Sequence, residues 1–433
     1  MVINRTRSYC RHCQESHDAT VEQNGTSIMF NVDCHKGEIS SRISSDADIF
    51  LGLRKKHRRD LSKPPSYVVK KWYHLLEITD DCNFKCPICY ANAGANPVKT
   101  FLSVETIVEK ALLVKKSGGK AIMLAGGEPT LHEELPEIIR RIARMGLRAE
   151  IATNGLRIAS DPDYVGILKR NGLNRVWLQL DTFNKDTHSK MRGNVFIEEK
   201  KVAAKRIASS GLRLGIINTI TSLNICDIDS ILEYCLKLAP ALSFVVFNVA
   251  SPRGRYELSV DTVVDRESVI KKLMSSKALG GVGSLDCFWP IPSFRPWGME
   301  AHPDCSAIIY LLVNKRRNYP IDTIMNVDGF YKRLDNNAMN PNFFTMNIVP
   351  LYYAIRESKL SQIPKLLVYF FGALTGLGSS GMVPIAVDSF LGIDYQDEQR
   401  LARCANSHIT EKGPISPCEY YYPETASSLF EKK

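Results

Sequence analysis

The stretch Tyr73-His-Leu-Leu-Glu-Ile-Thr79, followed at once by Asp80-Asp-Cys82-Asn-Phe-Lys-Cys86-Pro-Ile-Cys89-Tyr90, decides how this chain is read. The first part is apolar and β-prone, and the second carries three cysteines at C-x3-C-x2-C spacing. A strand that ends in a thiol-bearing loop is the first half of a strand-helix unit, and residues 104–116 supply the helical stretch. The alternation continues outward: AIML (121–124) then 136–145, RAEIAT (148–153) then 164–170, RVWLQL (175–180) then 196–209, RLGIINTI (213–220) then 228–238, and SFVVFNV (243–249) then 265–274. Strands that alternate with helices imply right-handed crossovers and a parallel sheet. Six such units predict an α/β fold, a partial (βα)6 barrel over residues 71–280.

Periodicity separates core from site. Ile138, Ile139, Ile142 and Met145 make one apolar stripe closed by Gly146, and Ile228, Ile231, Leu232, Cys235 and Leu238 make another. Cys235 is therefore expected in the core, and Cys226 has no ligand-like neighbour.

Composition sets the outer bounds. The 433 residues, 44% hydrophobic and 24% charged, describe a folded chain of two or three domains and exclude disorder and coiled coil. A formal charge of +10 favours anionic ligands or surfaces. Residues 1–70 read as a polar, strand-poor, metal-binding segment and linker that includes the basic run 54–59, a solvated face or a contact for phosphate or anionic lipid. The N-terminus has no apolar run, so the clustered cysteines point to metal in a cytoplasmic protein rather than to disulfides. Residues 366–387 contain no charge, long enough to cross a bilayer, but Gly372, Gly376, Gly378, Gly381 and Pro384 make helix, loop and strand the better reading, with a lipid-facing helix or lid as the alternative. Residues 281–433 are expected to be mostly helical, and they hold Cys287, Cys305, Cys404 and Cys418.

Three thiolates on one tight loop can hold three irons of a [4Fe-4S] cluster and leave the fourth open to a small molecule. A structural zinc site wants a fourth protein ligand nearby, and residues 91–131 offer only Glu105, Glu109 and Glu128. Gly126-Gly127-Glu128-Pro129-Thr130 follows the second predicted strand, where glycines let a ligand approach the backbone and Glu128 can accept from an ammonium group. Together these motifs resemble the radical S-adenosylmethionine (SAM) superfamily. The resemblance implies that Cys82, Cys86 and Cys89 hold the cluster, that its open iron chelates SAM, and that Gly126, Gly127 and Glu128 receive the SAM amino group; Tyr90 closes the motif. Asn154, Gln179, Asp181, Asn218 and Asn248 stand at predicted strand ends and are further candidate SAM contacts or polar loop caps. Arg192 lies where related enzymes hold the SAM carboxylate, with a surface salt bridge as the alternative.

The flanks narrow the resemblance. Cys10-Arg-His-Cys13, Cys34, SSDADIF (44–50), AHPDC (301–305), RCANSHI (403–409) and PCEYY (417–421), read with the barrel motifs, look like the group of the tetraether lipid synthase and the class D radical SAM methylases. That group implies a rubredoxin-like single-metal site before the barrel and auxiliary iron-sulfur clusters after it. Here His35 adjoins Cys34, so zinc or iron at Cys10, Cys13 and Cys34 takes His35 as its fourth ligand, with His17 as the rival. Ser293 and Ala405 stand where the group has further cysteines, so one auxiliary cluster on Cys287, Cys305, Cys404 and Cys418 is expected.

The implied chemistry is one-electron reduction of the cluster by a donor such as flavodoxin or ferredoxin, cleavage of SAM to a 5′-deoxyadenosyl radical, and hydrogen abstraction from an unactivated C–H bond. The leading expectation is methylation or C–C bond formation on an anionic, apolar-tailed, lipid-like substrate, with peripheral membrane contact; the alternative is a small natural product or peptide. No separate cobalamin-binding domain is visible. A zinc-ribbon protein binding nucleic acid explains Cys10, Cys13 and the basic run but leaves the barrel and GGEPT without purpose, so no nucleic acid is expected.

Overall fold

The computed structural model describes residues 1–421 apart from 11–12, 58–59, 64, 66–68, 70, 72, 282, 291–300, 314–317, 337–348, 365, 368–380, 394 and 412. The chain forms two compact units, Met1–Lys70 with Asp265–Cys404 and Lys71–Val264 with Ala405–Lys433.

The first unit opens with an antiparallel sheet of β1 (Val2–Cys10), β2 (Glu15–Asn24), β3 (Ser27–Val32) and β4 (Ile39–Ser44), with Gln396–Asp397 beside β1. The expectation of a strand-poor segment is corrected here. In β3 only Ile28, Phe30 and Val32 are buried, and the polar residues between them hide a period of two. Helix α1 (Ala47–Lys56) is capped by Asp46 and buries Ile49, Phe50 and Leu53.

The basic run at the end of α1 is partly turned inward, which corrects its reading as a solvated face. Arg54 Nε donates to Asp304 Oδ1 at 2.9 Å, with both side chains under 10% exposed, and Lys56 Nζ donates to the carbonyls of Leu285, Asp286 and Phe288 at 2.8, 2.9 and 2.7 Å. Arg58 and Arg59 lie outside the described residues.

Beyond residue 280 the first unit pairs Ser306–Val313 antiparallel with Gly381–Asp388, two eight-residue strands where helix was expected to predominate. A continuous apolar run such as SAIIYLLV suits a buried strand and a buried helix equally, and pairing decides between them. The uncharged window thus ends in a strand; of the apolar stretch 366–371 only Leu366 and Leu367 are described. No helix among the described residues is long and apolar enough to cross a membrane.

The second unit holds the six predicted barrel strands, but its bounds correct the expected 71–280 and 281–433: the helical stretch 265–274 falls in the first unit, and Ala405–Lys433 joins the barrel. Its elements are β5 (Tyr73–Thr79), β6 (Ile88–Cys89), α2 (Val104–Lys116), β7 (Ala121–Gly126), α3 (Leu135–Arg144), β8 (Arg148–Thr153), α4 (Leu156–Ser160), α5 (Tyr164–Arg170), β9 (Leu173–Gln179), α6 (Lys185–Arg192), α7 (Ile197–Ser210), β10 (Arg213–Ile220), α8 (Ile228–Leu236), β11 (Leu242–Val249) and β12 (Arg255–Tyr256). Strands β5, β7, β8, β9, β10 and β11 pair in parallel in chain order, so all their C-terminal ends open on one side. In α3, Ile138, Ile139 and Ile142 are fully buried, and each such side chain contributes about 1.5–3 kcal/mol relative to exposure. Cys235 lies in the α8 core, as its spacing predicts, and Cys226 is exposed. Asn406–Thr410 adds a parallel strand beside β5, followed by an antiparallel Gly413–Ile415.

Candidate active site

The thiol loop leaves β5 and is held against the end of β7. Gly127 N donates to the Thr79 carbonyl at 2.7 Å and Glu128 N to the Asp81 carbonyl at 2.8 Å. A Cβ on Gly127 would stand 1.9 Å from the Asp81 oxygen, so no side chain fits there. The glycine pair therefore lets the loop lie on the strand end, an approach between two parts of the chain itself.

Cys86 is buried and Cys82 and Cys89 are partly exposed. Phe84 N points at Cys82 Sγ (3.4 Å) and Ala93 N at Cys89 Sγ (3.3 Å), while the positive charge of Arg192 neighbours the Cys86 thiol. Burial, with Glu128 and the other two thiols nearby, pushes Cys82 up to about 12. Burial holds the Cys82 and Cys86 thiols above their ordinary range, a cost that a bound cation offsets, and donors aimed at the sulfurs suit an iron-sulfur cluster.

Glu128 is 1% exposed and fully engaged by the protein. Its Oε1 accepts from Thr130 N (3.1 Å), Thr130 Oγ1 (2.6 Å) and Thr153 Oγ1 (2.7 Å), and its Oε2 accepts from Asn154 N (2.8 Å). A carboxylate offers about two lone-pair sites on each oxygen, so Oε1 is saturated and Oε2 holds one bond. The Glu128 side chain thereby organises the turn.

From Glu128 one hydrogen-bonded network runs across the strand ends. Asn154 Nδ2 donates to Asn83 Oδ1 in the thiol loop (2.7 Å), and Gln179 Nε2 to Asp181 Oδ2 (2.7 Å). Arg192 is no surface residue: its Nε donates to the buried Asp181 Oδ2 (2.8 Å) and its Nη1 to the Ile88 carbonyl (3.0 Å). Burial opposes both charges, but the pair and Lys200 hold Asp181 below the usual carboxylate range, and Asp181 keeps Arg192 protonated. Asn218 Nδ2 donates to the carbonyls of Leu180 and Asp181 (2.8 and 3.2 Å), while its buried Oδ1 has no partner among the described residues. Asn248 lies at the end of β11 opposite Thr219.

Lys200 was missed by sequence reading. It is fully buried on α7, and its Nζ donates to the carbonyls of Asn154 (3.1 Å) and Gln179 (2.9 Å) and to Gln179 Oε1 (3.0 Å). Burial lowers its pKa to about 8, with Asp181 opposing the shift. A lysine inside an otherwise amphipathic helix was the available signal. Tyr90 turns to a different cluster, its ring centroid 3.9 Å from that of Tyr421, whose hydroxyl donates to Glu77 Oε1; Tyr420 donates to Glu77 Oε2 at 2.9 Å.

In the first unit, Cys34 Sγ lies 3.6 Å from both Cys10 Sγ and Cys13 Sγ. Tetrahedral zinc with Zn–S of about 2.3 Å sets its sulfurs about 3.8 Å apart, so the spacing fits a single metal. His17 Nε2 is 2.8 Å from Cys13 Sγ, whereas His35 is over half exposed, with Nδ1 4.0 Å from Glu15 Oε2. The ligand atoms of Cys13, His17, Cys34 and His35 lie within 4.8 Å of one another. Burial, with the Cys34 and Cys10 thiols, pushes Cys13 up to about 11. Of the later cysteines, Cys305 has Arg400 and Cys404 as electrostatic neighbours, Cys287 has Asp322, Lys56 and Asp286, and Cys418 belongs to the barrel unit, where it neighbours Tyr90.

Comparison with known proteins agrees with this geometry. Residues 76–235 match the model of the radical SAM superfamily. The 7,8-dihydro-6-hydroxymethylpterin dimethyltransferase of Methanocaldococcus jannaschii is 24% identical, covering 96% of this chain and 93% of that enzyme. The Fe-coproporphyrin III synthase of Methanosarcina barkeri is 32% identical over 41% of this chain, which spans 45% of that protein. Streptococcus suis SuiB bound to S-adenosylmethionine superposes with a TM-score of 0.42 at 16% identity, over 47% of this chain and 46% of that one. With a match over the thiol loop and the glycine turn, in a sheet of the predicted topology, residues 76–235 form a radical SAM domain, whose fold implies SAM and a [4Fe-4S] cluster.

Proposed function

We propose that this enzyme methylates, or forms a carbon–carbon bond at, an unactivated carbon. Similarity to a dimethyltransferase along nearly the whole chain carries this reading, because it extends beyond the barrel shared by all members. Cys82, Cys86 and Cys89 would hold the cluster, which with SAM and a one-electron donor such as flavodoxin or ferredoxin would supply radical chemistry.

The chain's own residues position and exclude. Glu128 braces the Gly126-Gly127 turn through Thr130, Thr153 and Asn154, and the Gly126-Gly127-Glu128 segment would receive the SAM ammonium. Arg192, buried between Asp181 and the Cys86 thiol, supplies a fixed positive charge for the SAM carboxylate. Asn154, Gln179, Asn218 and Asn248 line the strand ends, and Asn218 Oδ1 is an acceptor held for the cofactor. Cys10, Cys13, Cys34 and His17 hold a single zinc or iron. An auxiliary cluster draws on Cys305 and Cys404, which neighbour each other in the first unit.

The flanking motifs and the +10 charge favour a lipid-like anionic substrate and a cytoplasmic enzyme at the membrane face. The pterin-methylating relative favours a small heteroaromatic acceptor instead. Anaerobic co-expression with methyl-deuterated methionine, followed by mass spectrometry of lipid and aqueous extracts, tests both. A product heavier by a methyl group or by a coupled chain in one extract assigns the substrate class, and the deuterium shows whether SAM donates the carbon. No new product in either extract, from protein that cleaves SAM, sinks the proposal.

A further inference from the structure

The thiol loop is also gripped from the far side of the barrel, by residues that no motif marks. After β11 the chain runs Ser251-Pro-Arg253-Gly254-Arg255-Tyr-Glu257 and returns to the loop. Strand β12 pairs with β6, setting Arg255 opposite Cys89 and Tyr256 opposite Ile88, and Glu257 N donates to the Pro87 carbonyl at 3.0 Å. A Cβ on Gly254, at φ +60°, would stand 2.3 Å from the Tyr90 carbonyl oxygen, so backbone rests on backbone. The Arg255 guanidinium straddles the loop: Nε donates to the Cys86 carbonyl (2.7 Å), Nη2 to the Ala93 carbonyl (3.1 Å) and Nη1 to Asn92 Oδ1 (3.3 Å). On the other side of Gly254, the buried Arg253 donates to the Cys418 carbonyl at 2.6 Å.

We propose that this strap is the positioning device of the thiol loop and that Arg255 is its decisive positioning residue. The inference rests on the reading of Cys82, Cys86 and Cys89 as cluster ligands. One planar fork reaches acceptors on both sides of Cys89, fixing the spread of the loop and bringing a permanent positive charge to a cluster whose three thiolates are anionic. A lysine brings the charge but cannot reach the three acceptors together. Through Arg253 the same strap ties in the segment that carries Cys418, so the loop and that thiol are held by one short piece of chain.

The test uses full-length protein, reconstituted anaerobically, as wild type, R255Q, R255K and N92A, with C86A as the blank for iron bound elsewhere. Iron release to excess bipyridyl and the electron paramagnetic resonance spectrum of the reduced cluster, with and without SAM, are measured beside thermal unfolding. R255Q is expected to release the C86A-sensitive iron about tenfold faster and to lose the spectral change on adding SAM, with R255K between and N92A within about twofold of wild type. If R255Q does not fold, R255K decides. Wild-type-like release and spectra in R255Q, or in R255K where only it folds, overturn the proposal. Absence of C86A-sensitive iron in the wild type overturns the cluster reading itself.

Discussion

The two thiol sites of this chain are assembled by opposite means. Cys82, Cys86 and Cys89 come from one short loop at the end of a parallel strand, whereas Cys10, Cys13 and Cys34 are gathered by an antiparallel sheet, with His17 brought in on β2. In the barrel no fourth metal-ligating side chain groups with the thiols among the described residues, and the neighbouring carboxylates, Glu128 and Asp181, accept from nearby donors and from Arg192. In the N-terminal sheet an imidazole lies within 2.8 Å of a sulfur. Three ligands on a loop leave a coordination position for chemistry, while four on a sheet hold metal for structure.

The largest effect that could break this contrast is Cys86→Ala. It should abolish 5′-deoxyadenosine formation, on the order of 1,000-fold or more, while leaving the N-terminal metal in place. Loss of both together by elemental analysis would show that the two sites are not independent.

Next in size are His17→Ala and His35→Ala. Removing His17 should weaken metal binding at the N-terminal site on the order of 100-fold, about 3 kcal/mol, and removing the exposed His35 should change it little. Competition with a zinc chelator measures both, and the reverse ranking would return His35 to the ligand set.

Gly127→Ala drives a methyl group against the Asp81 carbonyl. It should cost about 3 kcal/mol of stability, read by denaturant unfolding of the reconstituted enzyme, with SAM affinity falling in parallel. Stability unchanged by the extra methyl would mean that the loop does not lie on the strand end.

The smallest effect is a pH dependence confined to the barrel. Burial brings Lys200 from its ordinary 10.5 to about 8, so the folded chain surrenders this proton more readily than the unfolded one. Stability attributable to Lys200 therefore rises between about pH 8 and pH 10, by about 2–3 kcal/mol. Lys200→Met should remove that slope, and equal slopes in variant and wild type would place the ammonium in contact with water.

Legibility follows the range of the interactions. The barrel strands and most of its helices could be placed from short-range patterns, because a parallel strand buried on both faces is a continuous apolar run and each helix shows a stripe. The three thiols and the glycine turn were legible because their spacing is local. Strands β1 to β4 escaped because a one-sided sheet alternates buried and polar residues, and Ser306–Val313 escaped because an apolar run does not name its partner.

Sequence alone determined the parallel order of the barrel, the loop with three thiols and the chemistry their superfamily performs, all written in patterns a few residues long. Only tertiary structure decided which groups those patterns would meet: Glu128 spent on the turn, Arg192 paired with Asp181, Lys200 beneath the strand ends, His17 at the sulfur, and Arg255 across the loop. These partners lie far apart in the chain, and a hydrogen bond or ion pair depends on distances of a few ångströms that exist only once the chain has closed on itself.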